Sequence, residues 1–274
     1  MRWRMVLAAC LLTSAPLNAG QGCAACHVEQ AHQFAGTAMA KAALSDDFIK
    51  EWAEAGRGPD CLSCHAPSQG AGVGCTDCHG MGAHPFARLS IPETCARCHD
   101  APGESTVRSH NASLSARRGL NCLSCHVKSP KESHVFLGAT SADFLTKSAR
   151  LHLALRKESG KQVLVVAVRP QTGHALPGGT TGRAVWLTVR GLDKANAMRW
   201  TEQRRFGWLK GPQGIWEDAT LAPDIGVNLD LADPGRNGAV RIEAELIYRF
   251  RSGPLEEPDS RQVSLSRASM TLRP

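Results

Sequence analysis

Cys61-Leu62-Ser63-Cys64-His65 is followed almost at once by Cys75-Thr76-Asp77-Cys78-His79, and the pair states one pattern twice. The same C-x-x-C-H pentapeptide recurs at Cys23-Ala24-Ala25-Cys26-His27, Cys95-Ala96-Arg97-Cys98-His99 and Cys122-Leu123-Ser124-Cys125-His126. It is the attachment signature of c-type haem. Two thiols three positions apart form thioethers to the two vinyl groups along one haem edge. The next residue then lies under the iron and offers its imidazole as the proximal ligand. Five copies therefore predict five covalently bound haem c groups. The ten cysteines bind the macrocycles, and His27, His65, His79, His99 and His126 bind the irons.

Zinc ribbons and thiol–disulfide motifs use similar spacings. A zinc ribbon needs two C-x-x-C units per metal, and five is odd. A redox C-x-x-C needs no His after its second Cys, and no thioredoxin-like βαβ pattern surrounds these motifs.

The chain has 274 residues, which favours two domains over one. Ten of its eleven cysteines are consumed by the motifs, so no disulfide framework remains to be built. The eleventh, Cys10, sits in an N-terminal segment with Arg2 and Arg4, an apolar run to Leu17 and then Asn18-Ala19-Gly20. This reads as a secretory signal peptide over residues 1–19. Leu7-Ala8-Ala9-Cys10 resembles a lipobox, but too few apolar residues precede Cys10 for an ordinary lipoprotein signal, so anchoring there is disfavoured. No later stretch is long and apolar enough to span a membrane. Covalent haem attachment takes place outside the cytoplasm, so the expected location is periplasmic or extracellular-facing.

The formal charge is +7. Residues 20–160 carry fourteen Lys and Arg against thirteen Asp and Glu, whereas residues 161–274 carry sixteen against twelve. Two propionates per haem would make the first region acidic. Basic residues without aromatic interleaving, on an exported chain, argue against a nucleic-acid partner. They fit a solvated surface or the steering of a charged redox protein.

Two textures follow one another. Residues 20–150 are rich in Gly, Ala, Ser, Cys and His and poor in large apolar side chains, so they cannot bury enough surface to fold alone. The haems are expected to be their core, with short helices and loops around them and an unfolded apo state. Ser45–Ala55 has helical spacing and an acidic first turn. From residue 151 to residue 274, segments such as Lys161–Arg169, Arg183–Arg190, Val240–Arg251 and Gln262–Arg267 read as strands, several alternating apolar with charged residues. Turn clusters at Pro177-Gly178-Gly179 and Asp233-Pro234-Gly235 separate them. The expectation is an α + β chain of two domains: a pentahaem domain over 20–150, then an all-β antiparallel sandwich of roughly seven strands over 151–274.

Six histidines remain as sixth ligands: His32, His84, His110, His134, His152 and His174. Two imidazoles saturate a haem iron and suit it to electron transfer, whereas substrate chemistry needs an open position. The supply suffices to close every iron.

Here the residues resemble a known family. Cys61–Pro67, followed by Gly72–His84, is similar to the paired motifs of multihaem cytochromes related to the tetrahaem cytochrome that accepts electrons from hydroxylamine oxidoreductase. By that resemblance His84 is a distal ligand. Arg108-Ser109-His110-Asn111 resembles a Ser-His element ahead of a motif, and His134 resembles a His that closely follows one; both become distal candidates. Thr172-Gly173-His174-Ala175-Leu176-Pro177-Gly178-Gly179 resembles a G-H-x-x-P-x-G turn of attached β-domains, which implies that His174 reaches a haem. The first motif departs from the pattern. Gly36-Thr37-Ala38-Met39-Ala40 stands where relatives place a His, leaving Met39 and a His as rivals for that iron. His152 reads as an exposed or packed strand residue.

The leading functional expectation is an electron carrier that hops electrons between closely spaced haems and exchanges them with redox partner proteins, by haem-edge contacts with other cytochromes among others. The alternative is an oxidoreductase acting on a small nitrogen oxide at one five-coordinate haem. The C-x-x-C-K site of pentahaem nitrite reductases is absent, and the single tyrosine, Tyr248, lies in the β region.

Overall fold

The computed structural model describes residues 21–272 except 83, 102, 180, 212, 252 and 257–260. The expected signal peptide and Cys10 lie outside the described residues. Among those described, helices come first and strands second. Ten helices occupy the first half: α1 (Gln21–Cys26), α2 (Val28–Ala35), α3 (Asp46–Glu54), α4 (Leu62–His65), α5 (Cys75–His79), α6 (Glu93–His99), α7 (Thr106–Asn111), α8 (Leu114–Arg117), α9 (Cys122–His126) and α10 (Ala142–Leu145). All are short, and they sit where local capping chemistry permits. Ser45 caps α3 by accepting from the Phe48 N–H, and Asp46 and Asp47 occupy its first turn, where the helix dipole favours negative charge. Asn121 caps α9 in the same way, accepting from the N–H groups of Leu123 and Ser124. Every C-x-x-C-H motif falls on one of these helical turns, as the cysteine spacing requires.

Nine strands follow: β1 (Ala149–Glu158), β2 (Lys161–Pro170), β3 (Ala184–Leu192), β4 (Met198–Phe206), β5 (Trp208–Lys210), β6 (Trp216–Asp218), β7 (Val227–Ala232), β8 (Arg241–Arg249) and β9 (Gln262–Thr271). All pairings are antiparallel. One sheet has the order β1-β2-β7, a second β4-β3-β8-β9, and β5 and β6 form a small hairpin. Leu164, Val166 and Val168 of the first sheet share one core with Val185, Leu187, Val189, Ile242, Ala244, Leu246 and Leu265 of the second. Alternation explains the wet face: Glu243 and Glu245 interrupt the buried series of β8, and Glu245 accepts a 2.8 Å hydrogen bond from Arg267 on β9.

The two textures differ in where apolar surface goes. Of thirty buried hydrophobic residues among those described, only Phe48, Ala66, Val107 and Leu145 precede Ala149. The helical part nevertheless meets the sheets through polar contacts. Arg251 pairs with Glu54 of α3 at 2.8 Å, and Arg261 pairs with Asp47 at 3.4 Å. The Leu114 N–H donates to Asp224 at 2.7 Å.

Candidate functional site: three histidine pairs and two further motif histidines

The five motif histidines project from the ends of α4, α5, α6 and α9 and from the junction of α1 and α2. All eleven histidines lie among the described residues, so their pairing can be read in full. A metal–imidazole bond is about 2 Å long, and a ring nitrogen lies roughly 1.1 Å from its ring centre, so two imidazoles on one metal have centroids about 6.2 Å apart. His79 and His134 stand 6.2 Å apart with planes inclined by 25°. His126 and His174 stand 6.1 Å apart at 16°. His27 and His84 stand 5.7 Å apart at 41°. Each pair joins one motif histidine to one histidine from elsewhere in the chain.

The ring nitrogens support the same use. An imidazole that holds iron through Nε2 keeps Nδ1 for a second partner, usually a backbone carbonyl that fixes tautomer and orientation. Four rings meet this condition. The Nδ1 atoms of His65, His110, His126 and His174 lie 3.1, 2.9, 2.6 and 2.8 Å from the carbonyls of Ala42, Gly173, Leu137 and Ala175. No hydrogen bond among the described residues engages a histidine Nε2. Burial pushes His174 down to about 4, which keeps its imidazole neutral and able to bind a metal. Burial also lowers His65 and His134.

His99 and His110 both lie near enough to His174 to oppose its protonation, and α6 and α7 pack against each other. His65 has no imidazole opposite it. Its ring is stacked on Phe48 at 3.9 Å with planes 12° apart, and Phe48 is stacked in turn on Trp52. Met39 lies at the turn behind this ring. Its carbonyl accepts from Val73 N–H at 2.9 Å and from Ala42 N–H at 3.2 Å, and the Ala42 carbonyl meets His65 Nδ1. His32 on α2 and His152 on β1 are exposed.

The thiols of different motifs also converge. Cys75 lies beside Cys23, Cys98 beside Cys64, and Cys95 beside Cys122. Burial, with the neighbouring thiols and Asp77, pushes the Cys75 and Cys78 thiols up, and Cys98 up to about 11. The donor set fits five haem c groups: paired thiols, a following imidazole with a free Nε2, and a facing imidazole in three cases.

The sequence reading missed the side chains that pack this region. Phe86 lies 6.0 Å from His79 and 5.5 Å from His84, Phe136 lies 6.3 Å from His134, and Phe144 lies 5.2 Å from His126. A signal for them was present in the composition, because Phe34, Phe48, Phe86, Phe136 and Phe144 are five of only seven phenylalanines in the chain.

No protein-family model matches the chain, and no curated protein matches it. Among solved structures, a penta-heme cytochrome c552 from Thermochromatium tepidum aligns with a TM-score of 0.71 at 19% identity, over 91% of this chain and 97% of that one. A human pre-T cell receptor (TM-score 0.20, 15% identity, 46% of this chain and 97% of that one) is too distant in shape to carry an argument. The same holds for MtrC from Shewanella baltica OS185 (TM-score 0.19, 15% identity, 77% and 41%). The chain shares the fold of a pentahaem cytochrome c over nearly its whole length.

Proposed function

We propose that this chain is an exported pentahaem c-type cytochrome that carries electrons between redox partner proteins. The three histidine pairs at iron-spanning distance carry the reading, because a structural core has no reason to set motif and non-motif imidazoles about 6 Å apart three times. Cys23 and Cys26, Cys61 and Cys64, Cys75 and Cys78, Cys95 and Cys98, and Cys122 and Cys125 would hold the five macrocycles. His27, His65, His79, His99 and His126 would be the proximal ligands. His84 would face His27, His134 would face His79, and His174 would face His126. His110, with Nδ1 fixed and Nε2 free, would serve the iron of His99. When bound, the haems supply reversible one-electron chemistry. The protein's part is to saturate most irons, to shield them with phenylalanine, and to bring vinyl edges together where the thiols of separate motifs meet.

This assignment gives Met39 no iron. His84 would take the position facing His27, at the iron for which Met39 is the rival ligand. The second reading, a small-molecule oxidoreductase, gains one specific observation: no histidine faces His65. Among the described residues no helix is long and apolar enough to cross a membrane. Export to the periplasm or the cell surface rests on the N-terminal segment and on where haem c is attached.

The test is a haem count with a ligand count. Alkaline pyridine spectra should give five haem c per chain, and the oxidised protein should be dominated by low-spin, six-coordinate iron. Carbon monoxide should bind the reduced protein at no more than one haem, that of His65. Binding at three or more haems would refute the pairings.

A further inference from the structure

The turn that carries His174 closes on the imidazole itself. A Cβ placed on Gly178 would lie 2.9 Å from Cε1 and 3.0 Å from Nδ1 of His174, and 3.3 Å from Thr106 Oγ1. Contacts under 3 Å between such atoms force something to move. The turn backbone is poorly free to do so, because α7 clamps it at three places. Thr106 Oγ1 accepts from the Gly179 N–H at 3.1 Å, Ser109 Oγ accepts from the Ala175 N–H at 3.0 Å, and His110 Nδ1 donates to the Gly173 carbonyl at 2.9 Å. On the other side, Leu176 exchanges both backbone hydrogen bonds with Leu221, at 2.9 and 2.8 Å, and both residues are buried. The mobile member of the contact is the ring.

We propose that Gly178 is a positioning residue for His174: only a residue without a side chain lets the clamped turn fold under the imidazole and hold it at 6.1 Å and 16° from His126. The proposal rests on the reading of His126 and His174 as one axial pair. A methyl group at position 178 pushes the ring toward or across the iron position, and the sixth bond is lost. Ser109 plays the supporting part, since its hydroxyl holds the peptide that follows His174. Because the Gly173 carbonyl orients His110 as well, one short turn orients two distal imidazoles.

Gly178→Ala, His174→Ala, Ser109→Ala and a control, Gly58→Ala, are compared as mature holoproteins by pyridine haem content, EPR and carbon monoxide stoichiometry. A Cβ at Gly58 meets nothing within 4 Å, so the control should match the wild type. Gly178→Ala should keep its full haem content yet bind about one more carbon monoxide per chain than the wild type, and its low-spin EPR signal should lose one haem. His174→Ala should open the same haem, with exogenous imidazole closing it again. Ser109→Ala should open part of that population, which keeps the idea testable if Gly178→Ala matures poorly. If His174→Ala opens a haem while Gly178→Ala and Ser109→Ala remain like the wild type, the positioning role is refuted. If His174→Ala itself changes nothing, the axial pair fails and takes this proposal with it.

Discussion

Removing haem should dissolve the helical half and spare the β half. The perturbation is replacement of all ten motif cysteines by serine, which blocks thioether formation without touching a strand. None of the ten helices exceeds nine residues, the length of α3, whereas isolated helices shorter than about 12–15 residues are marginal in water. Tertiary burial cannot rescue them. Among the described residues, Phe48, Val107 and Leu145 are the only large apolar side chains buried before Ala149. At about 1.5–3 kcal/mol each, they are offset by ordering fewer than about ten residues at roughly 1–2 kcal/mol per residue. The strands are in the opposite position, since Leu164, Val166, Val185, Leu187, Ile242, Leu246 and their neighbours form a closed two-sheet core of their own. Far-ultraviolet circular dichroism of the serine variant should therefore lose nearly all helical signal while the strand signal persists. Limited proteolysis should degrade residues 21–145 and leave a resistant fragment beginning near Ala149. Persistence of the helical signal without haem, or simultaneous collapse of both halves, would refute the reasoning.

Two further expectations concern single residues. Phe48→Ala removes a buried ring stacked between His65 and Trp52; it should lower holoprotein stability by about 3–5 kcal/mol, read from guanidinium midpoints, while haem content stays unchanged. His32→Ala and His152→Ala alter exposed rings that face no motif histidine, so their EPR spectra and carbon monoxide stoichiometries should be those of the wild type; an added open haem in either would overturn the axial assignment.

What could be read from the sequence follows the range of the signal. The thioether cysteines and motif histidines are local, five residues at a time, and needed no structure to be named. Strands β2, β3, β8 and β9 announced themselves because both faces are constrained, giving apolar runs or strict alternation. β4 did not. It lies at a sheet edge, and Thr201, Glu202, Gln203 and Arg204 are all exposed, so only Trp200 and Phe206, six residues apart, mark its buried face. β7 was not singled out either, although Val227, Leu229 and Leu231 alternate with the exposed Asn228, Asp230 and Ala232 as in a half-buried strand. The iron pairs were illegible as pairs. His27 and His84, or His79 and His134, meet only through the tertiary fold, and no periodicity encodes that. Met39 attracted attention because it follows the first motif closely; its backbone carbonyl accepts from the Val73 and Ala42 N–H groups, which ties its turn to the segment ahead of the third motif.

The attached sheets make physical sense beside a helical region that lacks a core. On the proposed reading, an imidazole carried by a four- to nine-residue helix would be held mainly by its haem, so ligand and cofactor would order one another. His174 is different. Its turn is anchored by Ala175, Leu176 and Leu221, each 5% exposed or less, beside the two-sheet core. On the proposed reading, a ligand on such a turn would need less ordering on binding than one carried by a short helix. α7 then couples that rigid turn back to the soft half through Thr106, Ser109 and His110. The haem of His126 should accordingly be the one whose sixth bond depends least on the state of the other four.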